Sequence, residues 1–261
     1  MAGYTITARN PATESENRIH ADDVARRYGF RGGLVPGVTV YGYVATGLAD
    51  PDWVARGGAE VRFRKPCYEG DLLEIDLGPD GAIEVRSRGE VCVTGLASAI
   101  AVAGNPLPAV VSPDPAPDPS RRPLASRSSL AKGTSLGRIP LPADEDALTT
   151  YLEKTGVGDW TLDALHPGML LEGANWVLAA NVVLQPWIHV ESSIAHRRAV
   201  RIGEEVQVHA AVADEWEHKG HRFVALDVAW RSADDVVATG RHVAIWQLAR
   251  ERPLVRAIRR R

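Results

Sequence analysis

The segment ESENRIH, residues 14–20, contains residue types that can move a proton. The imidazole of His20 titrates close to neutral pH, and a neighbouring carboxylate can orient such a ring when it acts as a base. If the segment is helical, Glu16 and His20 lie four residues apart on one helix face. The spacing therefore indicates a candidate acid–base pair.

The same segment also fits a helix start that carries no chemistry. Ser15 or Asn17 can serve as the N-cap, because both side chains accept hydrogen bonds from unpaired backbone N–H groups. Asp22 and Asp23 then fall in the first turn, where negative charge is favourable at the positive end of the helix dipole. The sequence leaves both interpretations open.

A second candidate feature is Gly37, which follows Pro36 at a predicted helix start. The first N–H groups of a helix have no internal partners and carry partial positive charge. A glycine there lets an anionic oxygen approach the backbone closely, which is the requirement of an oxyanion hole. Pro-Gly can equally shape the helix start alone, and the two roles are compatible.

The stretch HPGMLLEGANW places Glu172 one turn into a second predicted helix. A carboxylate at that place can act as a base or a nucleophile. The alternative is a solvent-facing or hydrogen-bonded glutamate on a mostly buried helix. His166, just before the Pro-Gly pair, is either a residue of the helix start or a general base.

The elements that must position these residues occur twice along the chain. A proline- and serine-rich stretch, 105–142, reads as a linker between an N-terminal unit, 1–104, and a C-terminal unit, 143–250, with a basic tail over 251–261. Glycines recur at a nearly constant separation of about 130 residues, which predicts two related domains rather than a short-period array. The pairs are Gly29 with Gly156, Gly37 with Gly168, and Gly70 with Gly203.

Each unit has one apolar helix followed by alternating strands. Val38–Leu48 and Met169–Leu184 are apolar with no alternation, which predicts buried helices. DLLEIDL, EVQVHAAV and RFVALDVAW alternate between apolar and polar residues, as half-buried strands do. We expect a meander of about four antiparallel strands around each helix. The fold class predicted is α+β, a double hotdog with two tandem units whose sheets can join edge to edge.

The first half resembles the MaoC-like, R-specific enoyl-CoA hydratase family. Three stretches carry the resemblance in the family's order, over about residues 14–75: ENRIHADDVARRYGF, GGLVPGVTVYGYV and FRKPCYEGDLL. The resemblance implies reversible syn addition of water to a trans-2-enoyl thioester. In that family an Asp and a His activate one water, an Asn steadies it or the thioester, and a backbone N–H polarises the carbonyl.

Matched position by position, the resemblance implies that Asn17, His20 and Gly37 take the roles of the family's Asn, His and Gly. Ser15 stands where the family has its Asp, and Arg18 where it has Pro. A serine does not replace a carboxylate as a base at neutral pH without a second base beside it. Glu16 is a candidate for the missing carboxylate.

The second half does not repeat the motif, because Ala147 and Asp144 stand at the positions that correspond to His20 and Asn17. We therefore expect one site per chain, with the second unit shaping the channel. The active cleft of hotdog pairs lies between units, so Glu172 can in principle face His20.

Three functions follow, in this order. The first is an acyl-thioester hydro-lyase, an enoyl-CoA hydratase or 3-hydroxyacyl dehydratase that uses His20, Asn17 and either Glu16 or Ser15. The second is a hotdog acyl-CoA thioesterase with Glu172 as base or nucleophile. The third is a non-catalytic acyl-thioester binding or partner subunit, which Ser15 favours.

Composition sets the remaining expectations. The net charge is −3, so no basic face for nucleic acid is indicated. Cys67 and Cys92 lack metal-like spacing and are predicted to be buried free thiols. We expect no metal and no cofactor. The partner expected is an acyl-CoA or acyl carrier protein thioester, with a homodimer as an open alternative. No signal peptide or membrane span is indicated, so we expect a cytoplasmic protein.

Basic residues on the strands have two interpretations. Arg62, Arg64 and Lys65, and their counterparts Arg197 and Arg198, can hold the phosphates of CoA or can be ordinary exposed strand charges.

Overall fold

Ten antiparallel strands form one continuous sheet in the computed structural model, which describes residues 3–100 and 111–249. The basic tail predicted over 251–261 lies outside the described residues. The strands are β1 (Tyr4–Thr7), β2 (Gly58–Phe63), β3 (Leu72–Leu77), β4 (Ala82–Ser87), β5 (Glu90–Ser98), β6 (Ser135–Leu141), β7 (Ile188–His196), β8 (Val206–His218), β9 (His221–Ser232) and β10 (Asp235–Gln247).

Two of the helices are buried at the centre and the others are peripheral. The helices are α1 (Asp22–Arg27), α2 (Gly37–Gly47), α3 (Pro51–Arg56), α4 (Glu145–Thr155) and α5 (Pro167–Asn181), and Arg18–His20 forms a single 3-10 turn. The central pair, α2 and α5, pack against each other, and each is followed by four strands of the sheet. This architecture confirms the predicted double hotdog fold.

The strand order differs from a simple meander. The order is β1-β3-β4-β5-β2-β7-β10-β9-β8-β6. In each half the last three strands are joined as a meander, but the strand after the central helix, β2 or β7, lies beside the last strand of its half. This displacement leaves β2 and β7 free to pair with each other, with Gly58 opposite Ala195 and Val61 opposite Ser192.

The β2–β7 pairing covers the edge at which each half would otherwise present unpaired backbone groups. Within the described residues, β1 and β6 are the outer strands of the sheet. The first has four residues, and the second contains Pro140 and a shift of register between Leu136 and Ile139. Short length, proline and irregular register are features that disfavour further strand pairing.

Strand β6 lies within the range that the sequence indicated as linker. Its irregular register breaks the apolar alternation, and its glycine and proline resemble linker composition. The described part of this stretch also contributes Leu130, Leu136 and Leu141 to the buried core. The stretch is therefore partly a structural element of the second unit.

The central helices are shifted slightly from their predicted bounds. Helix α2 spans 37–47 rather than 38–48, and α5 ends at Asn181 rather than at residue 184. The amide of Asn181 accepts from Gly137 N and donates to Gly137 O and to Val177 O. Because these bonds fix the helix end to β6, the following residue already has extended backbone angles.

Small residues allow α2 and α5 to approach each other around one phenol. A Cβ built on Gly42 or on Gly168 would overlap the hydroxyl of Tyr151, which comes from α4. The Tyr151 hydroxyl is buried and has no hydrogen-bond partner within the described residues. The close packing of the two units therefore depends on the absence of side chains at two glycines.

We expect Gly42→Ala to destabilise the protein by about 1–3 kcal/mol, as overpacked core substitutions do. In a Tyr151→Phe background the same substitution should be tolerated, because the next nearest atoms to the added Cβ are 3.3 and 3.5 Å away. Alanine is also the better helix former. Thermal unfolding of the four proteins of this double-mutant cycle measures the coupling. An equal loss of Tm in both backgrounds would contradict the packing described.

Candidate active site

The ESENRIH segment is not an α-helix. Asn17 caps the single 3-10 turn Arg18–His20, with its Oδ1 accepting from Ile19 N at 3.4 Å. Ile19 is fully buried and packs with Ala25 and Leu34. Asn17 therefore caps this 3-10 turn only. The prediction that Ser15 or Asn17 caps the helix that carries Asp22 and Asp23 is wrong, because α1 begins after Ala21 and no side chain of the described residues caps it. The buried Ile19 fixes where the adjacent His20 side chain can lie.

The same asparagine connects the two units. Its Oδ1 accepts from Trp187 N at 3.1 Å, and its Nδ2 donates to Trp187 O at 3.0 Å. Trp187 lies immediately before β7 in the second half. The Nδ2 atom is also 3.2 Å from His20 Nε2. Asn17 thus holds His20, its own turn and the start of β7 in one arrangement.

The hydrogen bonds of His20 define its protonation. Nδ1 lies 2.7 Å from the carbonyl oxygen of Leu34, which can only accept, so Nδ1 carries the proton. Nε2 is then the basic nitrogen of the neutral ring. Burial lowers the pKa of His20, partly opposed by the Leu34 carbonyl. The ring is therefore neutral at neutral pH and able to accept a proton at Nε2.

Glu16 does not pair with His20 as the helical spacing predicted. Its carboxylate binds Arg122 of the inter-unit stretch through two bonds, of 2.9 and 3.1 Å. Arg122 lowers the pKa of Glu16, which is exposed. The interpretation of Glu16 as a partner at helical spacing is wrong, because the turn is 3-10 only from Arg18 to His20. Ser15 donates to the carbonyl of Asn17 at 3.2 Å.

Gly37 is the first residue of α2, and no side chain caps this helix start. A Cβ at this position would lie 2.8 Å from His189 Nδ1 and 3.2 Å from the ring of Phe63. Glycine is therefore required for close packing with β2 and β7. The first N–H groups of α2 have no acceptor inside the helix, as at any helix start.

Glu172 is buried on α5, where its Oε2 lies 3.3 Å from Lys154 Nζ. Burial raises the pKa of Glu172, and the ammonium of Lys154 acts in the opposite direction. The predicted alternative of a hydrogen-bonded glutamate on a mostly buried helix is thus confirmed, and its partner is Lys154. The same carboxyl nevertheless lines a cavity together with His20.

Two adjoining cavities surround these groups. The α2 cavity, of about 190 Å³, is lined by Ile19, Leu34, Gly37, Phe63, Arg64, Lys65 and His189, among others. The α5 cavity, of about 310 Å³, is lined by Ser15, Glu16, Lys154, Glu172 and Trp176, among others. Both are lined by Asn17, His20, Pro36, Asn175 and Trp187. The two cavities therefore meet at His20, and residues of both units surround this junction.

The basic strand residues divide between the cavities and the surface. Arg64 and Lys65 line the α2 cavity, where Lys65 is paired with Glu90 and Arg64 donates to Thr94. Arg62, in contrast, is paired with Glu191 at 2.8 Å and lines neither cavity.

The C-terminal counterparts do not reach the cavities either. Arg198 pairs with Glu204, and neither Arg197 nor Arg198 lines either cavity. Of the basic residues considered for binding the CoA phosphates, Arg64 and Lys65 are therefore the two that line one of these cavities.

His166 is the N-cap of α5. Its Nδ1 accepts from Gly168 N at 3.0 Å, and its Nε2 lies 3.1 Å from Thr46 Oγ1 on α2. Burial lowers the pKa of His166 to about 3. Both ring nitrogens are thus used in holding the two helices together, which confirms the helix-start interpretation.

Sequence reasoning missed Asn175, Trp187 and His189. Asn175 follows Glu172 by one turn on a mostly apolar helix, and this second polar position was the available signal. Trp187 is bonded to Asn17 through its backbone N and O, and residue type does not reveal such contacts. His189 belongs to a buried chain in which Ser192 Oγ lies 2.8 Å from His189 Nε2 and 2.9 Å from His242 Nδ1.

No helix in residues 3–100 and 111–249 is long and apolar enough to cross a membrane. The same residues contain no group of three or more histidine, cysteine or acidic side chains placed to hold a metal ion. Cys67 and Cys92 are both buried free thiols.

A scan against protein-family models gives no match for the chain, and a search of curated proteins gives none either. Solved structures, in contrast, resemble it over nearly its whole length. A MaoC domain protein from Chloroflexus aurantiacus, described as a dehydratase, superposes with a TM-score of 0.57 at 11% identity, over 95% of this chain and 96% of that chain.

Two further structures extend the range of described activities. A protein from Mycobacterium tuberculosis, described as having a double hotdog fold, has a TM-score of 0.58 at 15% identity, over 94% of this chain and 96% of that chain. A protein from Thermobifida fusca, described as a thioesterase II, has a TM-score of 0.52 at 15% identity, over 94% and 92%. At such identities the likeness concerns the fold alone. The chain has the double hotdog fold.

Proposed function

We propose that this protein is an acyl-thioester hydro-lyase that adds water reversibly to a trans-2-enoyl-CoA. One observation carries the proposal: a neutral histidine from the first unit, His20, and a buried carboxyl from the second, Glu172, line one cavity. Burial lowers the pKa of His20 and raises that of Glu172, which is the pattern expected of a general base and a general acid.

His20 is the base in the hydration direction. Its Nδ1–H is committed to Leu34 O, so Nε2 is the basic nitrogen. The Nε2 lone pair accepts from Asn17 Nδ2 at 3.2 Å, a bond that water must replace before His20 can act as the base. Asn17 lies beside this nitrogen and holds the ring against the second unit. A base fixed in one tautomer needs little reorganisation when it removes a proton from water.

Glu172 takes the place of the family's motif carboxylate as the second proton-transfer group. Ser15 stands at the motif position and Glu16 is engaged by Arg122, so neither is the required acid. Burial increases the protonated fraction of Glu172, because it disfavours the charged form. The acid therefore comes from the second unit of the chain.

The reaction balances with these groups. His20 Nε2 takes a proton from water while the water oxygen bonds to C3 of the enoyl thioester. The electron pair of the C2–C3 double bond moves towards the thioester carbonyl. The carbonyl oxygen accepts a hydrogen bond from the Gly37 N–H. The Glu172 carboxyl then gives its proton to C2, and a proton passes from His20 back to Glu172 through water. Dehydration is the same sequence reversed.

The CoA portion and the acyl group of the substrate occupy different cavities. Arg64 and Lys65 line the α2 cavity and supply positive charge for the phosphates of CoA. The α5 cavity, which contains Glu172, receives the acyl group. The chemistry needs no metal or redox cofactor, and an acyl carrier protein presents the same pantetheine arm as CoA.

A thioesterase is the second candidate, because Glu172 is a buried carboxyl in a cavity at the centre of the fold. In that reaction Glu172 activates water or attacks the thioester carbonyl, and the products are a free acid and a thiol. His20 is not needed for this reaction. The two candidates therefore differ in whether a thiol is released and in which residue is indispensable.

We expect purified protein to hydrate crotonyl-CoA, and both His20→Ala and Glu172→Gln to lower kcat/KM by about 10²–10⁴-fold, the usual contribution of a general acid or base. The assay follows loss of the conjugated thioester absorbance, with a thiol reagent in parallel samples and longer trans-2-enoyl-CoAs as further substrates. The matched controls are His218→Ala and Glu153→Gln, whose side chains are exposed and lie outside both cavities.

The outcomes separate the functions. Thiol release that survives His20→Ala and disappears in Glu172→Gln would replace the hydratase by the thioesterase. Absence of both signals, together with measurable CoA binding, would favour a binding or partner subunit without chemistry.

The pH profile gives an independent prediction. In the hydration direction the active form has neutral His20 and protonated Glu172, so the rate falls at low pH as His20 gains its proton and at high pH as Glu172 loses its own. Lys154 lowers the pKa of Glu172, and Lys154→Met should therefore move the alkaline limb to higher pH. The acid limb should stay in place. A shift to lower pH would contradict the role of Glu172 as acid.

A further inference from the structure

The ammonium of Lys154 lies at the wall of the α5 cavity, beside the proposed acid. It comes from the last turn of α4, and its Nζ is 3.3 Å from Glu172 Oε2. The same Nζ is 5.8 Å from the ring centroid of Tyr151 and 5.8 Å from that of Trp176, within the range of cation–π attraction. Three groups therefore hold this charge at one place in the cavity wall.

The Lys154 side chain is open to a ligand. It is 36% exposed, whereas the side chain of Glu172 is 8% exposed. An ammonium has three N–H donors, and the described residues supply one acceptor for them, the Glu172 carboxyl. Donors of Lys154 therefore remain for a ligand that enters the α5 cavity.

The proposed reaction leaves this ammonium without a counter-ion. The lining residues of the α5 cavity that can carry charge are Glu16, His20, Lys154 and Glu172. Glu16 is bound to Arg122, and the active form has a neutral His20 and a protonated Glu172. The charge that remains is that of Lys154. A cation that faces a partly buried space is stabilised by an anion placed beside it.

The distance of Lys154 from the reacting carbons limits where that anion lies. Proton transfer to C2 brings this carbon to about 3.5 Å from a carboxyl oxygen of Glu172. Lys154 Nζ then lies within about 9 Å of C2, whichever of the two oxygens transfers the proton. A carboxylate whose carbon is one or two positions past C3 spans this distance together with one hydrogen bond. A saturated alkyl chain offers the ammonium no acceptor.

We infer that Lys154 binds a carboxylate on the acyl group, so that the preferred substrate is the CoA monothioester of a short unsaturated dicarboxylic acid. The inference rests on the proposed function and names the substrate class of the same site. The carboxylate accepts hydrogen bonds from the ammonium, and no covalent bond changes there. Because Lys154 lowers the pKa of Glu172, an anion that neutralises Lys154 also favours the protonated carboxyl that the reaction needs.

The first test does not depend on turnover. Calorimetry compares the binding of glutaryl-CoA and pentanoyl-CoA, which have the same chain length and differ in the terminal carboxylate. We expect the wild type to prefer glutaryl-CoA by about tenfold, the size of one charge-assisted hydrogen bond, and Lys154→Met to bind both alike. Lys154→Arg should keep the preference. The matched control is Lys132→Met, which changes an exposed lysine that lines neither cavity.

Glu172→Gln gives a second variant for the same measurement. It removes the carboxylate that competes for the ammonium of Lys154 and keeps the volume of the side chain. We therefore expect it to bind glutaryl-CoA at least as tightly as the wild type does. A weaker affinity of Glu172→Gln for glutaryl-CoA, with its affinity for pentanoyl-CoA unchanged, would contradict the inference.

Turnover of the matching enoyl thioesters is the second test. Glutaconyl-CoA carries a terminal carboxylate, and trans-2-pentenoyl-CoA has the same length without it. We expect kcat/KM of the wild type to be at least tenfold higher for glutaconyl-CoA, mainly through a lower KM, because the bond to Lys154 is present in both the ground state and the transition state. Lys154→Met should remove this difference.

The outcomes distinguish this inference from the proposed function. A wild type that hydrates pentenoyl-CoA and binds glutaryl-CoA no better than pentanoyl-CoA overturns the inference and leaves the function. A wild type that hydrates neither enoyl thioester, but whose preference for glutaryl-CoA is lost in Lys154→Met, overturns the function and leaves the binding role. Binding of neither thioester, or a preference that survives in Lys154→Met, overturns the inference.

Discussion

The pairing of β2 with β7 is the interaction on which the candidate site depends. It joins two half-sheets into one and brings the central helices α2 and α5 into contact, with Gly42 and Gly168 leaving room for Tyr151 between them. The start of β7 is in turn bound by Asn17, through both backbone groups of Trp187. Without this joint arrangement the two units that carry His20 and Glu172 would be apart, and the two side chains would not share a cavity.

Burial explains the electrostatics of the groups that line the cavities and of groups elsewhere in the core. It lowers the pKa of His20 and raises that of Glu172, because it disfavours the charged form of each. It also lowers the pKa of His166 and of His242, to about 3 in each case. Neither of these histidines lines the two cavities. A shifted pKa therefore does not by itself distinguish a group that lines a cavity from one that holds the core together.

The stretch between the units has a larger role than a spacer. Arg122 crosses to bind Glu16 and also donates to the carbonyl of Ala179 on α5. Ala125 N donates to Val183 O, and Val183 N donates to Pro123 O. The connection thus holds the ESENRIH loop against α5 at the side of the α5 cavity. Composition predicted an irregular surface segment, and these long-range contacts are what give it a structural role.

The sequence by itself determined the periodic features: two buried helices, alternating strands, the repeated turns at Gly70 and Gly203 with φ of 75° and 85°, and hence the double hotdog. Local spacing and residue type also indicated Asn17, His20 and Gly37 as candidates, and all three line the α2 cavity. Only the tertiary structure decided which carboxyl joins His20. Glu16 and Glu172 both line the α5 cavity with His20, but Glu16 is exposed and bound to Arg122, whereas Glu172 is distant in sequence and buried. Strand order and the position of Asn175 were likewise undetermined, because both depend on contacts between the halves, and residue spacing within one half carries no record of them.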